Sequence, residues 1–220
     1  MRIPQVFAMM RIPQVLAMLT PPILPRVSRI ISQNVRRSLG KTGFEGQTRL
    51  HLACGSAVLE GWANIDLRSK GGVIGWDLAD PLPVFSGAIE FIFCEHFIEH
   101  ITLKQASLLF AECYRVMRPE GILRLSTPNL RKFIDEYLLG RVSEWCDVGF
   151  SPSTPCQMVN DGLRLWGHQF TYDFDELQRV LLESGYRKVT PVAWRESTSS
   201  ALRNLEIRPF HGEVILEATK

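Results

Sequence analysis

The stretch RLHLACGSAVLEGWANIDL, residues 49–67, decides the fold of this chain. It contains two short apolar segments, RLHLACG (49–55), which ends in a glycine, and ANIDL (63–67), which carries an acid near its end. Short apolar runs bounded by turn residues are typical of buried strands. The residues between the two segments are too few for a full helix. We therefore predict two strands joined by a shortened connection.

The same alternation continues toward the carboxyl terminus and predicts an α/β fold with a parallel sheet covered on both faces. Further strands are predicted at GGVIGWDL (71–78), IEFIFCEH (89–96), GILRLSTP (121–128), YRKVTPVAW (186–194) and GEVILEAT (212–219). Helices are predicted over residues 103–117, 129–140 and 172–186. Residues 141–167 show no clear period, which indicates an insertion or lid. We place this domain at residues 48–220.

Residues 1–47 read as an extension that precedes the domain. MRIPQVFAM (1–9) is repeated almost unchanged as MRIPQVLAM (10–18), and a proline-rich linker follows at 19–27. ISQNVRRSLGK (31–41) has helical character and a basic face, which suits either solvent or peripheral contact with an anionic membrane. We expect no membrane span, because no run of about 18 uncharged apolar residues occurs.

Composition excludes several classes of protein. The 220 residues include 25 Lys and Arg against 23 Asp and Glu, too even a balance for a nucleic-acid-binding face. The five cysteines are odd in number and form no CxxC pair, so neither a disulfide framework nor a zinc cluster is indicated. A reducing compartment fits best, and we predict a cytoplasmic protein.

Four predicted strand ends carry residues suited to a nucleoside ligand. Ligands of open α/β sheets bind at the carboxyl ends of the strands. Gly55 would let the backbone approach the ligand, the Asp66 carboxylate could accept both ribose hydroxyls, and Asp77 could accept an adenine amino group. Glu95 and His96 would face the reactive end. Each could instead end a strand, cap a loop or begin a helix.

A dinucleotide site fits these residues poorly. Only Gly55 of the expected glycine triplet is present, and Asp66 follows it at about half of the usual spacing of roughly twenty residues.

The motifs LHLACGSAVLEGWANIDL, WDLADPLP, IFCEHFIEHI and YRVMRPEGILRLSTPNL, with the carboxyl-terminal segment, resemble a family of small bacterial S-adenosylmethionine (SAM) dependent methyltransferases. The resemblance covers residues 48–220. It implies a single Rossmann-like class I domain with a seven-stranded, mostly parallel sheet whose last strand is antiparallel. The implied cofactor is SAM.

The resemblance implies a set of cofactor-binding positions along the strand ends. They are His51, Ala53, Cys54, Gly55, Asp66, Leu67, Asp77, Leu78, Glu95 and His96. The chain departs from the wider class at His51, where an acid is usual, and at Ala53 and Ala57, where glycines are usual. Glu120 also replaces a glycine in the turn RPEG (118–121).

The residues His96–His100 also spell HxxEH, the inverted zinc-protease motif. On a helix, His96 and His100 would lie one turn apart as two zinc ligands, with Glu99 as general base. These residues directly follow a strong strand, where a class I domain places its SAM-facing loop, and we predict no metal here.

For the chemistry, His96 and His168 are the candidate catalytic residues, because imidazole titrates near neutral pH. We predict a methyltransferase acting on a small or sugar-linked acceptor, with no nucleic-acid partner. A non-catalytic partner protein with the same fold is the alternative.

Overall fold

The computed structural model describes residues 43–220. The duplicated segment, the proline-rich linker and the basic helix predicted at 1–18, 19–27 and 31–41 lie outside the described residues. Among residues 43–220, no helix combines the length and the apolar character that a bilayer span requires.

Seven strands form one sheet. They are β1 (Arg49–Leu52), β2 (Ala63–Asp66), β3 (Val73–Gly75), β4 (Ile89–Glu95), β5 (Met117–Thr127), β6 (Lys188–Pro191) and β7 (Val214–Thr219). Their order is β3-β2-β1-β4-β5-β7-β6, and the first five strands run parallel. β7 is antiparallel to both β5 and β6. The predicted seven-stranded, mostly parallel sheet with an antiparallel last strand is confirmed.

Helices and short turns connect the strands. The helices are α1 (Leu103–Val116), α2 (Leu130–Leu138), α3 (Pro155–Arg164) and α4 (Phe174–Glu183), and 3₁₀ turns lie at Ile98–His100, Cys146–Val148, Leu165–Gly167 and Ser200–Leu202. Thr102 begins α1 with a capping box that includes Gln105, so the entry to this helix is fixed by local hydrogen bonds. α3 lies inside the predicted insertion, where the sequence shows no clear period.

The two faces of the sheet are covered differently. On one face, the apolar sides of α1 and α4 pack against the sheet in the main core, with Phe110 and Leu181 almost fully buried. The side chains of Phe91 and Phe93 point to the opposite face of the sheet, where they pack against the segment around Leu202. Within residues 43–220, a 3₁₀ turn and its loops cover this second face, where the sequence pattern predicts helices.

Asn64 holds the shortened connection between β1 and β2. Its Oδ1 accepts from the backbone N–H of Leu59 at 2.8 Å, and its Nδ2 donates to the carbonyls of Leu59 and Trp62 at 2.9 and 3.0 Å. One buried side-chain amide thus satisfies the backbone polar groups of this turn, which replaces a connecting helix. The turn leads directly into β2, which ends at Asp66.

Arg124 is a fully buried cation on the second face of β5. Its guanidinium donates to Glu206 at 2.6 Å, to Glu217 on β7 at 2.8 Å, and to the carbonyls of Glu196 and Ala193 at 2.8 and 3.4 Å. The cluster joins the sheet to the segment that covers it.

Arg124→Met is expected to lower the free energy of unfolding by about 3–5 kcal/mol, because it leaves Glu206 and Glu217 buried without a counter-charge. Urea unfolding measures the change. The matched control is Arg187→Met, which removes an exposed pair with Glu120 and should leave the midpoint close to that of the wild type. Equal midpoints for the two variants would show that the buried cluster is not needed for stability.

Candidate functional site

The carboxyl ends of β1 and β2 bring Gly55 and Asp66 together. The backbone N–H of Gly55 donates to Asp66 Oδ2 at 2.9 Å, and the N–H of Cys54 donates to the carbonyl of Ile65 at 3.0 Å. Gly55 is exposed at a φ of 58°, and a Cβ built there would meet no atom within 4 Å. The loop is therefore open above Gly55, with one carboxylate oxygen of Asp66 at its side. Leu67 lies exposed just beyond.

Ala53 adopts a backbone conformation that favours glycine. Its φ is 51°, whereas Ala57, the other position where glycine is usual, is not among the residues with positive φ. A left-handed conformation costs an L-residue about 1–2 kcal/mol. The loop thus adopts a backbone conformation that favours glycine at residue 53, and Ala53 is strained there.

Ala53→Gly is expected to raise the free energy of unfolding by about 0.5–1 kcal/mol, since relief of strain exceeds the added entropy of the unfolded chain. Ala57→Gly, which relieves no such strain, should lower it by a similar amount. Urea unfolding of both variants measures the two changes in the free energy of unfolding. An Ala53→Gly protein that is less stable than the wild type would show that Ala53 is not strained.

Asp77 follows the end of β3, beside the end of β2. Its side chain is exposed, and its Oδ1 accepts from the backbone N–H of Ala79 at 2.9 Å, so it caps its own turn. Leu78 packs against the main core and Trp76 is buried. The turn holds Asp77 at the sheet edge, and its contact with adenine stays a prediction.

His51 is not at the open edge. Its side chain is 2% exposed, its Nδ1 lies 3.0 Å from Asn64 Oδ1, and its ring packs on Phe93 with centroids 5.2 Å apart. Burial lowers the pKa of His51, which keeps the ring neutral. A cofactor contact from His51 does not fit this geometry, and its role is to support the turn through Asn64. Burial likewise raises the pKa of the Cys54 thiol to about 11.

Glu95, at the end of β4, is bound by backbone amides. Its carboxylate accepts from the N–H groups of Ile207 at 3.2 and 3.3 Å and of Arg208 at 3.4 Å. Burial raises the pKa of Glu95, while these N–H groups oppose that rise. Glu95 therefore attaches the segment before β7 to the end of β4, a contact that the sequence did not predict.

His96 lies between two carboxylates. Its Nδ1 is 3.2 Å from Glu99 Oε1 and its Nε2 is 3.5 Å from Glu213 Oε1. Burial lowers its pKa, but the hydrogen bonds and charges of Glu213 and Glu99 outweigh this and raise the pKa of His96 to about 9. The ring is then protonated at neutral pH. The prediction of His96 as a general base is corrected to an imidazolium held by two acids.

The inverted zinc-protease motif does not form a zinc-protease helix. His96 has a φ of 49°, and only Ile98–His100 form a single 3₁₀ turn. His96 and His100 are therefore not stacked on one face of an α-helix, which that class of enzyme requires.

His168 lies beside Glu99 and His100. The backbone N–H groups of Gln169 and Phe170 donate to the Glu99 carbonyl at 2.7 and 3.2 Å, and Gln169 Nε2 donates to the His100 carbonyl at 2.7 Å. The rings of His100 and His168 have centroids 5.0 Å apart. These bonds join two loops that are distant in sequence.

The tautomer of His168 follows from its partner. His168 Nδ1 lies 2.9 Å from the carbonyl oxygen of Gly162, which can only accept, so Nδ1 carries the hydrogen and Nε2 keeps its lone pair. Burial lowers the pKa of His168.

These side chains line a cavity of about 200 Å³ at the carboxyl ends of β4 and β5 and the amino end of β7. Its walls also include Phe133, Trp145 and Trp166, with Lys132 and Arg208 as cations. Both tryptophans come from the predicted lid at 141–167. Residues 141–167 therefore form one wall of the cavity.

His211 also lines the cavity, and its Nδ1 lies 3.7 Å from Glu213 Oε1, the same oxygen that His96 approaches. The Nε2 atom of His211 lies 2.9 Å from Asp147 Oδ1, and its ring stacks on Trp145 at 5.0 Å between centroids. Trp145 and Glu213, which fix these histidines, were missed by the sequence analysis, because neither belongs to a motif or follows a predicted parallel strand.

The open sheet has a loop glycine and an acid at its central edge and a cavity beside them. Residues 52–125 match the family model described as "Methyltransferase domain". The match spans β1 to β5 and includes the Gly55–Asp66 loop. No curated protein sequence matched the chain.

Solved structures with a similar fold come from several organisms. A SAM-dependent methyltransferase from Archaeoglobus fulgidus is 16% identical, with a TM-score of 0.48 over 87% of this chain and 93% of that one. A SAM-dependent methyltransferase from Mesorhizobium loti is 14% identical, with a TM-score of 0.47 over 84% of this chain and 95% of that one.

Proposed function

We propose that this protein is a SAM-dependent methyltransferase whose acceptor binds in the cavity beyond β4 and β5. The observation that carries the proposal is the pairing of Gly55 with Asp66 at the carboxyl ends of β1 and β2, within the segment that matches the methyltransferase family. An exposed glycine leaves room for a ligand, and a carboxylate beside it suits the two hydroxyls of a ribose. Asp77 is the proposed partner of the adenine.

The proposed acceptor is a small molecule or a single sugar unit of a larger one. Ligand sites commonly enclose about 300–1,000 Å³, so the cavity of about 200 Å³ suits a small group. Trp166 stands partly exposed at its edge, and a tryptophan face suits a sugar or a flat ring. Arg208 would favour a negatively charged group on the acceptor.

In methyl transfer, the protein would act mainly by orienting the acceptor and by excluding water from it. SAM, when bound, supplies a methyl group already activated by the sulfonium charge. The aromatic walls would fix the acceptor and remove water from it, which can supply several orders of magnitude in rate. His168 Nε2, whose lone pair remains available, is the proposed acceptor for a proton from the substrate. The cytoplasmic location remains a prediction.

Asp66→Ala is expected to raise the Kd for SAM by about 10–100-fold, because charge-assisted hydrogen bonds contribute about 1.5–3 kcal/mol. Calorimetric titration of the full chain with SAM and with S-adenosylhomocysteine measures this. Asp175→Ala, an exposed acid in the first turn of α4, is the control and should bind as the wild type does. No binding by folded wild-type protein would overturn the proposed function.

His168→Ala is expected to lower methyl transfer by at least about 100-fold while the Kd for SAM stays within about twofold, since His168 lines the proposed acceptor cavity and the proposed SAM site is the Gly55–Asp66 loop. The assay follows label from methyl-labelled SAM into sugars and their phosphorylated derivatives. SAM binding without transfer to any acceptor class would favour the non-catalytic alternative.

A further inference from the structure

Glu99 is a buried carboxylate with one oxygen poorly satisfied. The side chain is fully buried, and Oε2 accepts from the Thr127 hydroxyl at 3.0 Å. Among the buried side-chain atoms of residues 43–220, Oε1 is one of a few without a hydrogen bond of acceptable geometry, although His96 Nδ1 lies 3.2 Å away. Oε1 is therefore paired with His96 by charge but without a well-aligned hydrogen bond, and it keeps acceptor capacity for a further ligand.

Two imidazoles approach the same carboxylate from the cavity side. The potential ligand atoms of Glu99, His100 and His168 all lie within 4.8 Å of one another, and His100 Nε2 is 4.0 Å from Glu99 Oε1. All three residues line the cavity. Two imidazole nitrogens and one carboxylate oxygen form the donor set of many catalytic metal sites.

Neighbouring residues orient these three side chains through hydrogen bonds, as is common for metal ligands. His168 donates its Nδ1–H to the Gly162 carbonyl, which directs Nε2 away from that bond, and Thr127 fixes the other oxygen of Glu99. Such outer contacts set the tautomer and orientation of ligating residues. The Gln169 bonds to the carbonyls of Glu99 and His100 keep the two loops together.

We propose that Glu99, His100 and His168 bind one divalent transition-metal ion, with Zn²⁺ the best match. A tetrahedral zinc has bonds of about 2.0–2.2 Å, so its ligand atoms lie about 3.4 Å apart. The three ligand atoms lie within 4.8 Å of one another, so binding would draw them closer together by side-chain movement. The fourth position then faces the cavity, where an oxygen of a small molecule can occupy it.

The site differs from the one expected of the HxxEH motif. Glu99 is a ligand and not a free base, and the second histidine comes from residue 168 in place of His96. His96 remains outside, with its Nε2 directed at Glu213.

If the protein is a methyltransferase as proposed above, a bound metal ion would also help to activate the acceptor. An acceptor hydroxyl bound at the open position loses its proton to water at the cavity mouth more readily, because the cation stabilises the oxyanion. The proton-accepting role proposed above for His168 Nε2 then applies only to the metal-free protein. With the ion bound, that lone pair is a ligand and the ion stabilises the oxyanion instead. Metal binding itself does not depend on this step.

The test is calorimetric titration of full-length protein with Zn²⁺, without SAM, after dialysis against a chelator. The expected result is one ion per chain, with the Kd raised at least about tenfold in His168→Ala and in His100→Ala. His168 is half-buried at the edge of the cavity, so its removal tests the site even where a Glu99→Gln protein fails to fold.

Two control variants make the result specific. His211→Ala removes another cavity histidine outside the cluster, and Cys146→Ser removes an exposed thiol. Both should bind Zn²⁺ as the wild type does. No stoichiometric binding by folded wild-type protein, or unchanged affinity in His168→Ala and His100→Ala, would overturn the site. Titration of the same metal-free protein with SAM reports on the proposed function separately.

Discussion

Glu99 is buried where the chain leaves β4, and it interacts with three parts of the chain. Its carboxylate contacts His96 and the Thr127 hydroxyl, and its carbonyl accepts from the amides after His168. A buried charge costs several kcal/mol unless it is paired and hydrogen-bonded. The segments that satisfy Glu99 are therefore fixed relative to one another, and these same segments form the walls of the cavity.

The first half of the sheet could be predicted from sequence because its signals are local. Short apolar runs identify β1, β2 and β4, and the parallel arrangement brings their carboxyl ends to one edge. The pairing of Gly55 with Asp66 follows from that register. Asn64, two residues before Asp66, fixes the short connection, a role for which the sequence offers no separate signal.

The second half of the site depends on contacts between residues distant in sequence. His51 turns inward to Asn64 because β1 and β2 pair them side by side, so its predicted cofactor role does not fit. Glu213 reaches His96 from the residue just before the antiparallel strand β7. α3 buries only Met158 and Gly162, too few residues to give a period. Such partners raise the pKa of His96 to about 9, a shift that the residue type alone does not indicate.

The central claim is that the edge formed by β1, β2 and β4 binds the cofactor and delivers its reactive end to the cavity around Glu99. The measurement that tests it most directly is a crystal structure of the full chain grown with S-adenosylhomocysteine. The account predicts ribose hydroxyls within hydrogen-bond distance of the Asp66 carboxylate and the sulfur at the side of the cavity lined by His96. A ligand bound elsewhere, with the Gly55–Asp66 loop empty, would contradict it.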